Sequence, residues 1–107
     1  MMKPAQVVKA LSALAQPTRL ALYRLLVTSG PDGLAAGKIA EKLKASPATM
    51  SFHFKTLSHA GLVESRQDGR FIYYAANFTV MNGMVDYLTE NCCGGDEQAC
   101  KVPRKKC

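Results

Sequence analysis

Residues 46 to 76, SPATMSFHFKTLSHAGLVESRQDGRFIYYAA, leave this chain few folds to choose from. Ser46 is a natural N-cap, because its hydroxyl can accept from an unpaired amide of the first helical turn. Pro47 suits the first helical position, and Gly61 suits the left-handed residue just past a helix end. Between them, Met50, Phe54 and Leu57 make one inward stripe. That phase leaves Thr49, Ser51, Phe52, His53, Lys55 and Thr56 pointing outward. Two β-rich runs then flank Asp68-Gly69, the dipeptide that best matches a tight type I′ hairpin turn. Arg66, Gln67 and Arg70 bracket the tip.

The segments on either side read as helices. PAQVVKALSALA (4 to 15) aligns Val7, Val8, Leu11, Leu14 and Ala15 on one stripe, and a second helix restarts at Pro17 with Leu22, Leu25 and Leu26 on a face. LAAGKIAEKLK (34 to 44) supplies Ala36, Ile39, Ala40 and Leu43 at the i, i+3, i+4, i+7 spacing of a buried face, with an end near Lys44. A short turn then leads to the capped helix. Two helices so joined, the second with small polar residues outward, make a helix-turn-helix, and the basic hairpin that follows makes it a winged one. FTVMNGMVDYLTEN (78 to 91) returns to helical period, with Phe78, Met81, Val85 and Leu88 on one face. The expected fold is mainly α with a β-hairpin wing. Residues 1–93 form the DNA-binding and dimerisation domain, and 94–107, without apolar periodicity, form a flexible cysteine-containing tail.

At 107 residues and 48% hydrophobic composition, the chain can bury a modest core without cross-links. The first twenty residues carry a Pro, a Gln and an Arg where a leader or membrane span needs apolar side chains, so a cytoplasmic protein with no membrane partner is expected. The formal net charge of +6 favours a polyanionic partner. No catalytic constellation is evident, since an enzyme needs a base or nucleophile in a pocket and the two histidines lie on the capped helix expected to face DNA, with no partner in reach by sequence. The reading is of a binding protein and not an enzyme, with no organic cofactor.

With residues 46 to 60 in a major groove, Thr49, Ser51, Phe52 and His53 would reach base edges. Ser, Thr and His can exchange hydrogen bonds there, and Phe can lie against a thymine methyl. Lys55, Arg66 and Arg70 suit phosphate contacts, each releasing about one counterion.

The wording of LAQPTRLALYRLL (14 to 26), LAAGKIAEKLKASPATMSFHFKTLSHAGLV (34 to 63) and QDGRFIYYAAN (67 to 77) resembles the ArsR/SmtB family of small winged-helix repressors. That resemblance covers the chain to about residue 93. It implies a homodimer built from the first and last helices, bound to a near-palindromic double-stranded operator and released when a metal or metalloid occupies the protein. The family's metalloid-responsive prototype carries Cys-x-Cys where this chain has Ala35 and Gly37. Its zinc and nickel sensors use Asp and His pairs on the last helix, where this chain has Asp86 and no His.

All four cysteines fall after residue 91, at Cys92, Cys93, Cys100 and Cys107. Clustered thiols in a reducing compartment are more often metal-binding or reactive than structural. Cys92, Cys93 and Cys100 resemble the set of family members whose metalloid site lies at the C-terminal end. Thiolates select soft ions, and As(III) or Sb(III) takes three sulfurs in a pyramid. Adjacent cysteines diverge by about 100° on a regular helix, so Cys92 and Cys93 converge only if the last turn unwinds, which Gly94 and Gly95 make easy. A zinc or cadmium site using the same cysteines, with Cys107 as a fourth thiolate, and a thiol-redox switch through Cys93 and Cys100 are the alternatives. An inert tail is the remaining one.

Overall fold

The computed structural model describes residues 2–95. Five α-helices and three strands follow in the order α1 (Pro4–Leu14), α2 (Pro17–Ser29), β1 (Leu34–Ala35), α3 (Ala36–Leu43), α4 (Pro47–His59), β2 (Val63–Asp68), β3 (Phe71–Ala76) and α5 (Phe78–Leu88). A 3₁₀ turn at Cys92–Gly95 closes the described chain. The helix starts form as their residues dictate. Pro4, Pro17 and Pro47 sit in first turns, and the Ser46 hydroxyl accepts from the Thr49 amide at 3.2 Å.

Leu34 and Ala35 do not open a helix; they pair as β1 with Tyr74 and Tyr73 of β3. The sheet order is β1-β3-β2, all antiparallel. Gly33 makes this closure possible, since its φ is +75° and a Cβ there would collide with the Tyr74 carbonyl. The wing turn also differs from expectation. Asp68 pairs with Phe71, so the two-residue loop is Gly69-Arg70, and Gly69 alone has a positive φ, of 62°. A positive φ only at the first central residue is the sign pattern of a type II′ turn; type I′ needs it at both.

The core lies where α2, α3 and α4 meet the sheet. Leu22, Leu26, Ile39, Met50, Leu57 and Leu62 are all but inaccessible. Tyr74 of β3 stacks on Phe54 of α4 with ring centroids 3.8 Å apart and planes 6° apart, which ties the wing to α4.

One sequence expectation about facing needs correction, and two apolar stripes divide between core and surface. His53 does not point outward: it is 7% exposed and belongs to the buried row Met50, His53, Phe54, Leu57. These four have the i, i+3, i+4, i+7 spacing of an inward face, which a pattern read from apolar residues alone overlooks. In α1 the core face is Val7, Ala10 and Ala13, while Val8 and Leu11 remain 61% and 42% exposed. The helix therefore packs on its own chain through Val7, two alanines and part of Leu14, and leaves Val8 and Leu11 uncovered. In α5, Met84 is buried and Phe78 and Met81 pack against the core, but Val85 and Leu88 are 39% and 58% exposed. This helix ends at Leu88, three residues before the expected 91.

Candidate nucleic-acid interface

α4 presents its first two turns to solvent. Thr49, Ser51, Phe52 and Lys55 are exposed, Phe52 to 64%. Ser46 shapes this end twice over, since its oxygen caps the Thr49 amide and its own proton goes to Thr49 Oγ1 at 2.9 Å. The Thr49 hydroxyl keeps its proton for an acceptor outside the chain. An extended, capped helix end with two hydroxyls, an aromatic ring and a cation is chemically suited to the floor and rim of a major groove.

His53, the fourth expected base contact, is set back. Its Nδ1 is buried without a hydrogen-bond partner among the described residues, and its ring meets Phe52 edge-on with centroids 5.8 Å apart. Burial, followed by the positive charge of Arg19, pushes its pKa below the ordinary histidine value. It is thus placed as a neutral ring supporting Phe52 from behind.

The wing places its two arginines differently. Arg66 lies across from Tyr73 with its guanidinium 4.6 Å from the ring centroid, and its Nη1 donates to the Asp32 carbonyl at 2.7 Å. One side chain thereby fastens the wing to the loop after α2 through a cation–π contact and a charge-assisted hydrogen bond. Arg70 sits in the hairpin loop itself, exposed beside the equally exposed Phe71. Among the described residues nothing is shown bonded to Arg70, whereas Arg66 aims the tip.

The cysteines lie beyond α5. Asn91, Cys93, Gly94 and Gly95 have positive φ values of 55°, 57°, 66° and 87°, so the chain after Leu88 has left the right-handed helix. Cys92 is half-buried and Cys93 exposed. The angular splay of two neighbours on a helix does not apply to this turn. Among the described residues no three His, Cys, Asp or Glu side chains gather as a metal site. Cys100 and Cys107, and the proposed tail beyond residue 95, lie outside the described residues.

Sequence reasoning gave no role to Lys9, Arg19 and His59, which line one cleft between α1, α2 and α4. Their spacing along α1 and α4 was visible, but that these two faces meet is a tertiary fact.

A helix-turn-helix domain family matches residues 14–66. The chain is 45% identical over 69 residues to the uncharacterized HTH-type transcriptional regulator YceK of Bacillus subtilis, a match covering 64% of this chain and 65% of that protein. It is 34% identical over 76 residues to the transcriptional repressor SdpR of the same organism, covering 71% and 81%. Among solved structures, an ArsR-like transcriptional regulator from Rhodococcus superposes with a TM-score of 0.74 at 28% identity, covering 88% and 86% of the two chains. The homodimeric winged helix-turn-helix DNA-binding domain of Mb0332 from Mycobacterium bovis, a possible ArsR-family regulator, does so with 0.65 at 26% identity, covering 87% and 86%.

Proposed function

We propose, for a chain that belongs to the ArsR/SmtB family of winged-helix transcriptional regulators, that it is a cytoplasmic repressor: a homodimer that holds operator DNA and lets go when As(III) or Sb(III) binds Cys92, Cys93 and Cys100. The observation that carries the DNA part is the exposed face of α4, with Thr49, Ser51, Phe52 and Lys55 on one side and an Arg66-anchored wing bearing Arg70 on the other. Thr49, Ser51 and Phe52 read base edges. Lys55 and Arg70 meet phosphates, and His53 acts through Phe52 and not by direct contact. The dimer part rests on the strip Val8, Leu11, Val85 and Leu88, large apolar side chains on adjoining helices that the chain's own core leaves uncovered.

The thiol part rests on the turn after α5. Left-handed residues at Asn91, Cys93 and Gly94 free the two adjacent thiols from helical divergence, so the donor set suits a soft, pyramidal ion. When bound, the metalloid supplies a three-sulfur cross-link. Cys92 follows Leu88, the last residue of the apolar strip, by four positions, so constraining that turn alters the dimer contact. A shift of the two recognition helices off their half-site spacing follows, with a coupling of about 1 to 3 kcal/mol, as is usual for allosteric pairs.

Zinc or cadmium on the same thiols, and thiol oxidation, are separated from this reading by chemistry. Counting reactive thiols with a chromogenic disulfide before and after arsenite, under prior reduction, tests the site. Three of the four thiols become protected in the wild type, and Cys107→Ser loses only the unprotected one. Protection of all four, or of none, defeats the three-thiolate assignment.

A further inference from the structure

α1 and the C-terminal half of α4 are separated by an open cleft of about 370 Å³, a size that falls within the range of small-molecule sites. Two rows of identical spacing face each other across it. Lys9, Ser12 and Ala13 stand at i, i+3 and i+4 on α1, and Thr56, His59 and Ala60 do so on α4. The two alanines leave the floor open where larger side chains would fill it. Arg19, from the first turn of α2, closes one end.

Arg19 is fixed in place by its own chain. Its amide donates to the Gln16 side-chain oxygen at 2.8 Å, and its Nε donates to the Ala13 carbonyl at 2.6 Å. Those bonds occupy the backbone amide and the Nε of the guanidinium, and neither uses its terminal nitrogens. Among the described residues, no Asp or Glu lines the cleft. The charge of Arg19 is felt as far as His53, which it disfavours as a cation. A half-buried guanidinium held in position, two further nitrogen side chains and a serine thus line one space, with no carboxylate among the described residues to balance them.

We propose that this cleft is a phosphate site, in which Lys9, Arg19 and His59 hold the oxyanion and Ser12 donates a neutral hydrogen bond. Thr56 shapes the wall only, because its hydroxyl already donates to the Phe52 carbonyl at 3.2 Å. Planar guanidinium and point-charge ammonium are the groups that phosphate oxygens accept from most strongly. Around α1, Lys9 is displaced by about 100° from Val8, and Ser12 by about 100° from Leu11 but only about 40° from Val8, so the cleft borders the apolar strip on its Ser12 side. The phosphate comes either from a free phosphorylated small molecule or from an operator backbone; only the second source rests on the DNA-binding reading given above.

The test uses the full-length protein, with pyrophosphate as probe and sodium chloride at matched ionic strength as reference. Wild type is expected to show a saturable rise in melting temperature with pyrophosphate. The rise is lost in Lys9→Ala and His59→Gln, both exposed positions outside the core, and kept in Lys55→Ala. In parallel, the slope of log operator affinity against log salt is measured for the same proteins. A slope shallower by about two in Lys9→Ala, one contact from each protomer, assigns the phosphate to DNA; an unchanged slope with a lost pyrophosphate response assigns it to a free ligand. A pyrophosphate response retained by both cleft variants overturns the proposal, as does the absence of any response together with unchanged slopes. Failure of the wild type to bind operator at all strikes the DNA-binding reading and leaves the pyrophosphate arm to decide this one.

Discussion

Leu88→Ala should loosen the dimer without disturbing the fold of the protomer. Val8, Leu11, Val85 and Leu88 keep 61%, 42%, 39% and 58% of their surfaces exposed, about two whole side chains per protomer. Full burial of a large aliphatic side chain stabilises by about 1.5–3 kcal/mol, so covering the strip in a two-fold dimer supplies roughly 6–12 kcal/mol before the cost of association. Leu88 accounts for its exposed 58%, about 0.9–1.7 kcal/mol. Both copies carry the change, so the dimer loses roughly 2–3.5 kcal/mol, a 30- to 300-fold rise in the dimer Kd. Sedimentation equilibrium over a range of concentrations measures this directly. Phe52→Ala, an equally exposed apolar position on α4, is the control and should leave the dimer Kd unchanged. If Leu88→Ala and Leu11→Ala both associate as tightly as the wild type, the strip is not the dimer surface.

Three further expectations concern the core and the wing. His53 has a lowered pKa in the folded chain, so between that value and the ordinary histidine value of about 6.5 the unfolded state binds more protons; stability is present above this window and falls as pH drops through it. Melting temperatures from pH 7.5 to 5 should therefore decline in the wild type and decline less in His53→Gln, whatever the absolute stability of the variant. Tyr23 is buried with a hydroxyl that has no partner among the described residues, so Tyr23→Phe is expected to raise unfolding free energy by about 1 kcal/mol in urea titrations; a loss of 1 kcal/mol would mean that the hydroxyl is satisfied. Arg70→Ala, which removes one phosphate contact from each protomer, should reduce the salt slope of operator binding by about two and weaken all sequences alike, whereas Arg66→Ala should lower the protection of wing amides in hydrogen exchange, because it releases the Asp32 carbonyl.

The order of the helices and the wing, and the capped α4, were legible in the sequence because Ser46, Pro47 and Gly61 act locally and need no tertiary partner; β1 was not, because it exists only by pairing with β3. The core face of α1 was legible in part. Apolar periodicity groups Val7 and Leu14, which reach the core, with Val8 and Leu11, which do not, and it misses Ala10 and Ala13, because alanine carries almost no hydrophobic signal of its own. His53 was misplaced for the converse reason: a polar residue type in a buried phase, compensated in part by the ring of Phe52, is invisible to a pattern built on hydrophobicity. The one-residue shift of the wing turn follows from register, which is set by Tyr74 stacking on Phe54 as much as by the Asp-Gly pair. The end of α5 did have a signal. Asn91 is among the residues that tolerate the left-handed region, and with Gly94 and Gly95 it ends helical continuity before the cysteines are reached.

The central claim concerns the thiols, and one titration addresses it: arsenite added to the preformed, reduced protein–operator complex, followed by fluorescence anisotropy of the labelled DNA. Wild type and Cys107→Ser are expected to release the operator, and Cys92→Ser, Cys93→Ser and Cys100→Ser to hold it at the same arsenite concentrations. Release by all five proteins alike, or by none, would contradict the assignment of these cysteines as the inducer site.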